Sequence, residues 1–73
     1  MSEQQETLEE GKVIAYLTTK TAPVPTIELA REVFGKGSPT KLINPILYKL
    51  ERESRLLKTA QPDGSKPHWS LKQ

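Results

Sequence analysis

The chain has 73 residues, the size of one small domain, and such a domain buries only roughly 60% of the surface that its unfolded chain exposes. It contains no cysteine and a single histidine, His68, which excludes disulfides and thiolate zinc sites, so we expect no metal and no other cofactor. No apolar run is long enough to span a membrane and the N-terminus is acidic, so we expect a soluble, intracellular protein of the cytoplasm or nucleus.

The sequence shows no set of residues typical of an active site. Its carboxylates are scattered, and one histidine supplies no paired general acid and base. A domain this small also leaves little room for a deep catalytic cleft. We therefore expect that the protein is not an enzyme and has no small-molecule substrate.

Charge is divided unevenly along the chain. Residues 1–35 contain three Lys or Arg and six Asp or Glu, whereas residues 36–73 contain eight and three, which gives formal charges of −3 and +5. A basic half of this kind is either a solvated surface or a surface that meets an anionic partner such as nucleic acid. The charge alone leaves both interpretations open.

The N-terminal part of the chain has the periodicity of an amphipathic helix. This helix is predicted from Glu3 to Thr19, with glutamates in its first turns that suit the helix dipole, and residues 1–6 are expected to fray. Its apolar side is predicted to carry Leu8, Val13, Ile14 and Leu17. Two prolines in residues 21–25 prevent a helix there, and Val24 is predicted to form a minimal strand.

Two further helices are predicted, joined by a glycine-containing turn. Thr26 is the expected N-cap of the second helix and Gly35 its end. Ser38 is the expected N-cap of the third helix, which runs from Pro39 to about Glu53. The apolar residues of the second helix are Ile27, Leu29, Ala30, Val33 and Phe34. The buried residues of the third helix are predicted to be Leu42 or Ile43, Ile46, Leu47 and Leu50.

The last part of the chain is predicted to be a β-hairpin. Residues 55–59 and 68–71 are short stretches of mixed apolar and polar residues, and Asp63 and Gly64 lie in the turn-forming segment between them. Three helices, this C-terminal hairpin wing and the minimal first strand predict an α+β winged helix-turn-helix fold. A single domain over residues 1–73 is expected.

A polar face of the third helix contains the first candidate site residues. Lys41, Asn44 and Tyr48 are spaced by three and four residues, and Asn44 is a poor helix former placed in the middle of the predicted helix. Each residue also has an ordinary structural explanation: a solvated lysine, a harmless exposed asparagine and a half-buried tyrosine. In the hairpin, Trp69 is ordinarily a core anchor and Pro67 a hairpin terminator.

Taken together, these residues are more specific. The stretch Lys41–Leu50, followed by a hairpin that ends in Lys-Pro-His-Trp at residues 66–69, resembles the Z-alpha family of Z-DNA and Z-RNA binding domains. The resemblance covers residues 8–71. It implies a domain that is monomeric without nucleic acid, with two copies bound per segment of left-handed double-stranded DNA or RNA. It also implies a module of a larger innate-immune sensor or editor, or of a viral antagonist of one.

The resemblance implies a role for each site residue. Asn44 would donate to a phosphate, Lys41 would supply a charged phosphate contact, and Tyr48 would lie against a syn purine. Trp69 would pack edge-on against the tyrosine and direct its indole N–H toward the nucleic-acid backbone, directly or through water. In the wing, Pro67 would make an apolar contact with the sugar-phosphate backbone, and Ser65 and Lys66 would flank it. Thr40 completes the set of expected nucleic-acid-binding residues.

Three positions depart from the family pattern. Thr40 stands where a second basic residue is common, Lys66 stands where a first proline is common, and Pro45 is expected to remove a backbone hydrogen bond and to kink the helix. Two alternatives remain open. One is an ordinary winged helix that reads base edges in the major groove of B-form DNA, and the other is a protein-interaction winged helix whose aromatic pair belongs to the core.

Overall fold

The computed structural model describes residues 7–72 and confirms the α+β winged helix-turn-helix fold. The expected fraying of residues 1–6 and the first turn of the helix predicted from Glu3 lie outside the described residues. The elements in chain order are α1 (Leu8–Thr18), β1 (Val24–Pro25), α2 (Thr26–Phe34), a 3-10 turn (Thr40–Leu42), α3 (Asn44–Arg52), β2 (Leu56–Thr59) and β3 (His68–Leu71).

Helix α1 begins with a capping box. The Glu10 N–H donates to the Thr7 hydroxyl, and the Thr7 N–H donates to the Glu10 carboxylate, each at 3.1 Å. These two bonds satisfy donors that a helix start leaves unpaired. Val13 and Leu17 are buried as predicted, but Leu8 is 71% exposed, so its predicted place in the core is wrong. The first turn directs Glu10 inward instead, and this residue is only 4% exposed.

The inward-facing Glu10 carboxylate joins α1 to α3. It accepts from the Lys49 ammonium at 2.7 Å. This bond, with the Thr7 N–H as the next cause, lowers the pKa of Glu10 below its ordinary value. The same bond raises the pKa of Lys49. The ion pair therefore fixes the two helices to each other and neutralises one cation of α3.

We expect Glu10→Gln to lower the melting temperature at neutral pH, because it removes the charge that pairs with Lys49. A carboxyl group whose pKa is lowered by folding stabilises the fold above its unfolded-state pKa, and loses that effect as pH falls through the folded-state pKa. The difference from wild type should therefore be full at pH 7 and disappear in acid. Thermal melts across this pH range test it, with Glu9→Gln in the same helical turn as the control. A difference that persists unchanged in acid would contradict the ion-pair explanation.

The N-cap of helix α2 lies one residue earlier in the chain than predicted. Pro25 has extended backbone angles and is the N-cap, so the prediction of Thr26 as the N-cap is wrong. Thr26 is instead the first helical residue, and its side chain is 1% exposed, in the interior, where it bonds to other groups. Gly35 ends the helix with a φ of 107°, as predicted for a residue that can adopt positive φ. Of the apolar residues of α2, Leu29, Ala30 and Val33 are buried, whereas Ile27 is 47% exposed.

The predicted continuous helix from Pro39 to Glu53 is wrong. The structure has the 3-10 turn first and α3 only from Asn44, with Ile43 as its N-cap, and Ser38 caps neither. The reason is Pro45, whose ring would clash with the carbonyl four residues earlier in a continuous helix. Because α3 restarts just before it, Pro45 lies in the first turn, where its missing N–H removes no helical hydrogen bond and causes no kink. Pro45 therefore divides the predicted helix instead of bending it.

The hairpin and β1 form a three-stranded antiparallel sheet in the order β1–β3–β2. In its register Trp69 of β3 lies opposite Val24 of β1 and Lys58 of β2, so these three side chains are on one face of the sheet. That face packs on the helices. The buried hydrophobic core consists of Val13, Leu17, Val24, Leu29, Ala30, Val33, Ile43, Leu47, Leu50, Leu56 and Trp69. The prediction left open whether Leu42 or Ile43 is buried. Ile43 is the buried residue, and Leu42 is 46% exposed.

Candidate nucleic-acid interface

An aromatic pair joins α3 to the sheet. The rings of Tyr48 and Trp69 lie with centroids 5.4 Å apart and planes at 86°, an edge-to-face arrangement. Aromatic quadrupoles favour this geometry. Trp69 is 0% exposed, whereas Tyr48 is 37% exposed. A fully buried indole thus holds a phenol ring that is open to a partner on its remaining side.

The indole is itself fixed by one hydroxyl group. Its N–H donates to Thr26 Oγ at 2.9 Å, and the Thr26 hydroxyl donates to the Pro67 carbonyl at 2.6 Å. The N–H therefore points into the protein, and the expectation that it points toward a nucleic-acid backbone is wrong for this structure. The physical reason is that a buried donor needs a partner, which α2 supplies at its first residue. Thr26 thereby connects the start of α2, β3 and the last residue of the wing loop.

We expect Thr26→Val to lower the free energy of unfolding by about 1–3 kcal/mol, because it leaves the buried indole N–H without an acceptor at nearly constant side-chain volume. Urea denaturation measures the loss. The control is Thr26→Ser, which keeps the hydroxyl and should retain most of the stability. Equal losses in the two variants would mean that packing of the threonine methyl group, and not the hydrogen bond, stabilises this region.

Asn44 and Lys41 lie on either side of the helix restart. Asn44 is the first residue of α3, not a mid-helix residue as predicted, so its presence needs no special explanation from helix propensity. Its side chain is half-buried, and within residues 7–72 its amide has no hydrogen-bond partner. Tyr48 follows one turn later on the same side of α3. Lys41 is exposed and Thr40 half-buried, both in the 3-10 turn.

The wing loop (residues 60–67) is ordered by its own hydrogen bonds. The Gly64 N–H donates to the Gln61 carbonyl at 3.1 Å, and Gly64 has a φ of 81°. The Asp63 carboxylate accepts from the Ser65 N–H at 2.9 Å, which lowers the pKa of Asp63. These bonds leave the Ser65 and Lys66 side chains exposed. Pro67, the last residue of the loop, is half-buried and held through its carbonyl.

Lys58 is a residue that the sequence analysis did not select. Its ammonium lies 5.0 Å from the centroid of the Tyr48 ring, the geometry of a cation–π contact. The register places Lys58 opposite Trp69, on the same face of the sheet. A signal was present in the sequence, because strand alternation places Lys58 on the same side of β2 as Leu56. Along this side, a buried leucine is followed by a lysine at the edge of the core.

The described lysines differ in whether they have an acidic partner. Lys49 is paired with Glu10, and Lys20 lies 3.8 Å from the Glu28 carboxylate. Other exposed lysines have no carboxylate of residues 7–72 within 4.0 Å. Among them are Lys41, Lys58 and Lys66. They come from the 3-10 turn, β2 and the wing loop. Of these three lysines, Lys58 is the one whose ammonium contacts the Tyr48 ring.

Metal sites, membrane spans and clefts are the other features through which the described residues could meet a partner. Residues 7–72 contain no group of three His, Asp or Glu side chains that could hold a metal ion. No helix in the same range is long and apolar enough to cross a membrane. A cleft of about 280 Å³ lies beside the wing loop and is lined by Pro25, Thr26, Ile27, Ser65, Lys66 and His68. The aromatic pair and its cations remain the arrangement best suited to a partner.

Three helices, a small antiparallel sheet and a basic wing define a winged helix-turn-helix domain. No family model matches the sequence, and no curated protein matches it. Among solved structures, the chain is similar to the Zalpha domain of Carassius auratus PKZ, which was solved in complex with Z-DNA. The TM-score is 0.68 at 24% sequence identity, over 86% of this chain and 90% of that chain. This likeness shows that the chain has the fold of a Zalpha domain.

Proposed function

We propose that this domain binds left-handed, Z-form double-stranded DNA or RNA through α3 and the wing. The observation that carries the proposal is the edge-to-face pair of Tyr48 and Trp69, which fixes an exposed phenol ring on a basic surface. The similarity to a Zalpha domain solved with Z-DNA supports it. A rigid ring beside fixed cations selects a duplex by the shape of its backbone rather than by its base sequence.

We assign the contacts by exposure and chemistry. Tyr48 lies against a syn purine, and the unpaired amide of Asn44 donates to a phosphate. Lys41 and Lys66 supply charge-assisted phosphate contacts. The neutral contacts come from the Thr40 and Ser65 hydroxyl groups and the Pro67 ring. Because Trp69 is 0% exposed and its N–H is already bonded, its role is to support Tyr48 from beneath.

The proposal includes the assembly and its context. The two strands of a duplex offer the same backbone twice, so two copies of the domain bind per duplex segment, and the domain is a monomer without nucleic acid. We further propose that it is a non-catalytic module of an intracellular innate-immune sensor or editor, or of a viral antagonist of one. Its localisation would then be the cytoplasm, the nucleus or both.

Circular dichroism tests the proposal directly. Duplexes of alternating cytosine and guanine, one DNA and one RNA, are titrated with the protein, and the spectrum of the bound duplex is expected to invert as the helix becomes left-handed. A random-sequence B-form duplex serves as the comparison. Tight binding to that duplex without inversion would favour a groove-reading winged helix. Absence of salt-dependent binding to any nucleic acid would favour a protein-interaction domain, because phosphate neutralisation makes affinity fall with salt.

A further inference from the structure

Lys58 has a fixed position beside the phenol ring. It lies in β2 opposite Trp69, so it shares the sheet face that supports Tyr48, and its ammonium is 5.0 Å from the ring centroid. The side chain is exposed. The ring of Tyr48 is therefore bordered by an indole on the interior side and by an ammonium group from β2.

The charge of Lys58 is available to an anion. No carboxylate within residues 7–72 lies within 4.0 Å of it, unlike Lys49 and Lys20, which have acidic partners. A cation–π contact at an exposed site is weaker than a charge-assisted hydrogen bond from an ammonium to a phosphate. An arriving phosphate would therefore draw the ammonium away from the ring at little cost.

We propose that Lys58 is a further nucleic-acid contact, which neutralises the phosphate next to the nucleotide that Tyr48 touches. This inference rests on the proposed function. The Lys58 contact adds a geometric requirement to the proposed function. The base against Tyr48 and the phosphate at Lys58 must be close enough for the domain to reach both at the same time. Since α3 holds the ring and β2 holds the backbone of Lys58, the phosphate must lie within reach of one lysine side chain from the base, and only a duplex backbone of matching shape satisfies both contacts.

The experiment measures how affinity for the alternating cytosine–guanine duplex depends on salt. Each neutralised phosphate contributes a slope of roughly −0.9 to the plot of log affinity against log salt, a value known for B-form DNA. We expect Lys58→Met to reduce the magnitude of the slope by about one such contribution and the affinity by about tenfold. Lys58→Arg keeps the charge and should keep the slope. The matched control is Lys12→Met, at an exposed position of α1.

The outcomes separate this inference from the function on which it rests. If wild type inverts the spectrum and Lys58→Met shows the same slope as Lys12→Met, Lys58 makes no phosphate contact and the inference is overturned while the function stands. If wild type does not invert the spectrum of either duplex, the function fails and the inference with it. Thermal melts of all variants check folding, which should be unchanged because both lysines are exposed. A slope that is reduced by about one phosphate contribution in Lys58→Met and unchanged in Lys58→Arg supports the inference.

Discussion

Replacing Tyr48 with alanine is expected to abolish inversion of the circular dichroism spectrum while the domain remains folded. The phenol is 37% exposed, so the variant loses a surface contact and part of the packing on Trp69, but no fully buried group. Stacking of a base on an aromatic side chain stabilises a complex by about 1–3 kcal/mol, or roughly 5- to 150-fold in affinity. A left-handed duplex is costly to form, so a loss of this size at each bound copy leaves the right-handed form favoured.

Asn44→Ala is expected to have the same effect through a different contact. The Asn44 amide has no partner within residues 7–72, so its removal costs the fold little and costs the complex a donor to phosphate. Asn44→Asp is a sharper version, since it keeps the shape and places a negative charge where a phosphate would lie. The control for the ring is Tyr48→Phe, which keeps the aromatic face and should still convert the duplex. If the alanine variants of both residues convert the duplex as wild type does, the assigned surface is not the binding surface.

The sequence predicted the parts of the fold that depend on local chemistry. Prolines and glycines punctuate the chain at the predicted places, and the hairpin strands were located to within one residue at each end. The Tyr48–Trp69 pair was expected from the family resemblance, and the structure places the rings in the expected edge-to-face contact. Such features are predictable because they follow from backbone restrictions and from alternation along a strand.

The failed predictions have two kinds of cause, a local clash and contacts between distant segments. The propensity of the residues after Ser38 favours one long helix, but a single ring clash at Pro45 divides it. Thr26 has the chemistry of an N-cap, yet its hydroxyl serves Trp69 and Pro67, which lie more than 40 residues later. Local propensity cannot reveal such partners, because they are set by the packing of α2 against the sheet. Lys58 was missed for the same reason: its importance appears only when the strand register is known.

Trp69→Ala is expected to lower the free energy of unfolding by about 3–5 kcal/mol, the cost typical of deleting a large aromatic side chain from a core. Trp69 is among the largest fully buried side chains, and it contacts the ring of α3 and the hydroxyl of Thr26 at once. Native proteins are stable by only about 5–15 kcal/mol, so this loss removes a large part of the stability of so small a domain. Urea denaturation monitored by far-ultraviolet circular dichroism measures the loss.

Trp69→Phe tests whether Trp69 only supports Tyr48 or also contacts the nucleic acid itself. Phenylalanine keeps an aromatic ring beneath Tyr48 but has no N–H, so we expect a smaller loss of stability and weaker binding, with the dependence of affinity on salt unchanged. The salt slope should be constant because an indole carries no charge and so neutralises no phosphate, wherever its N–H points. Thr26→Val is the matched control, since it breaks the same hydrogen bond from the other side. An affinity that falls in Trp69→Phe but not in Thr26→Val would show that the indole turns outward to the nucleic acid on binding, and that the inward hydrogen bond is exchanged for one to the backbone.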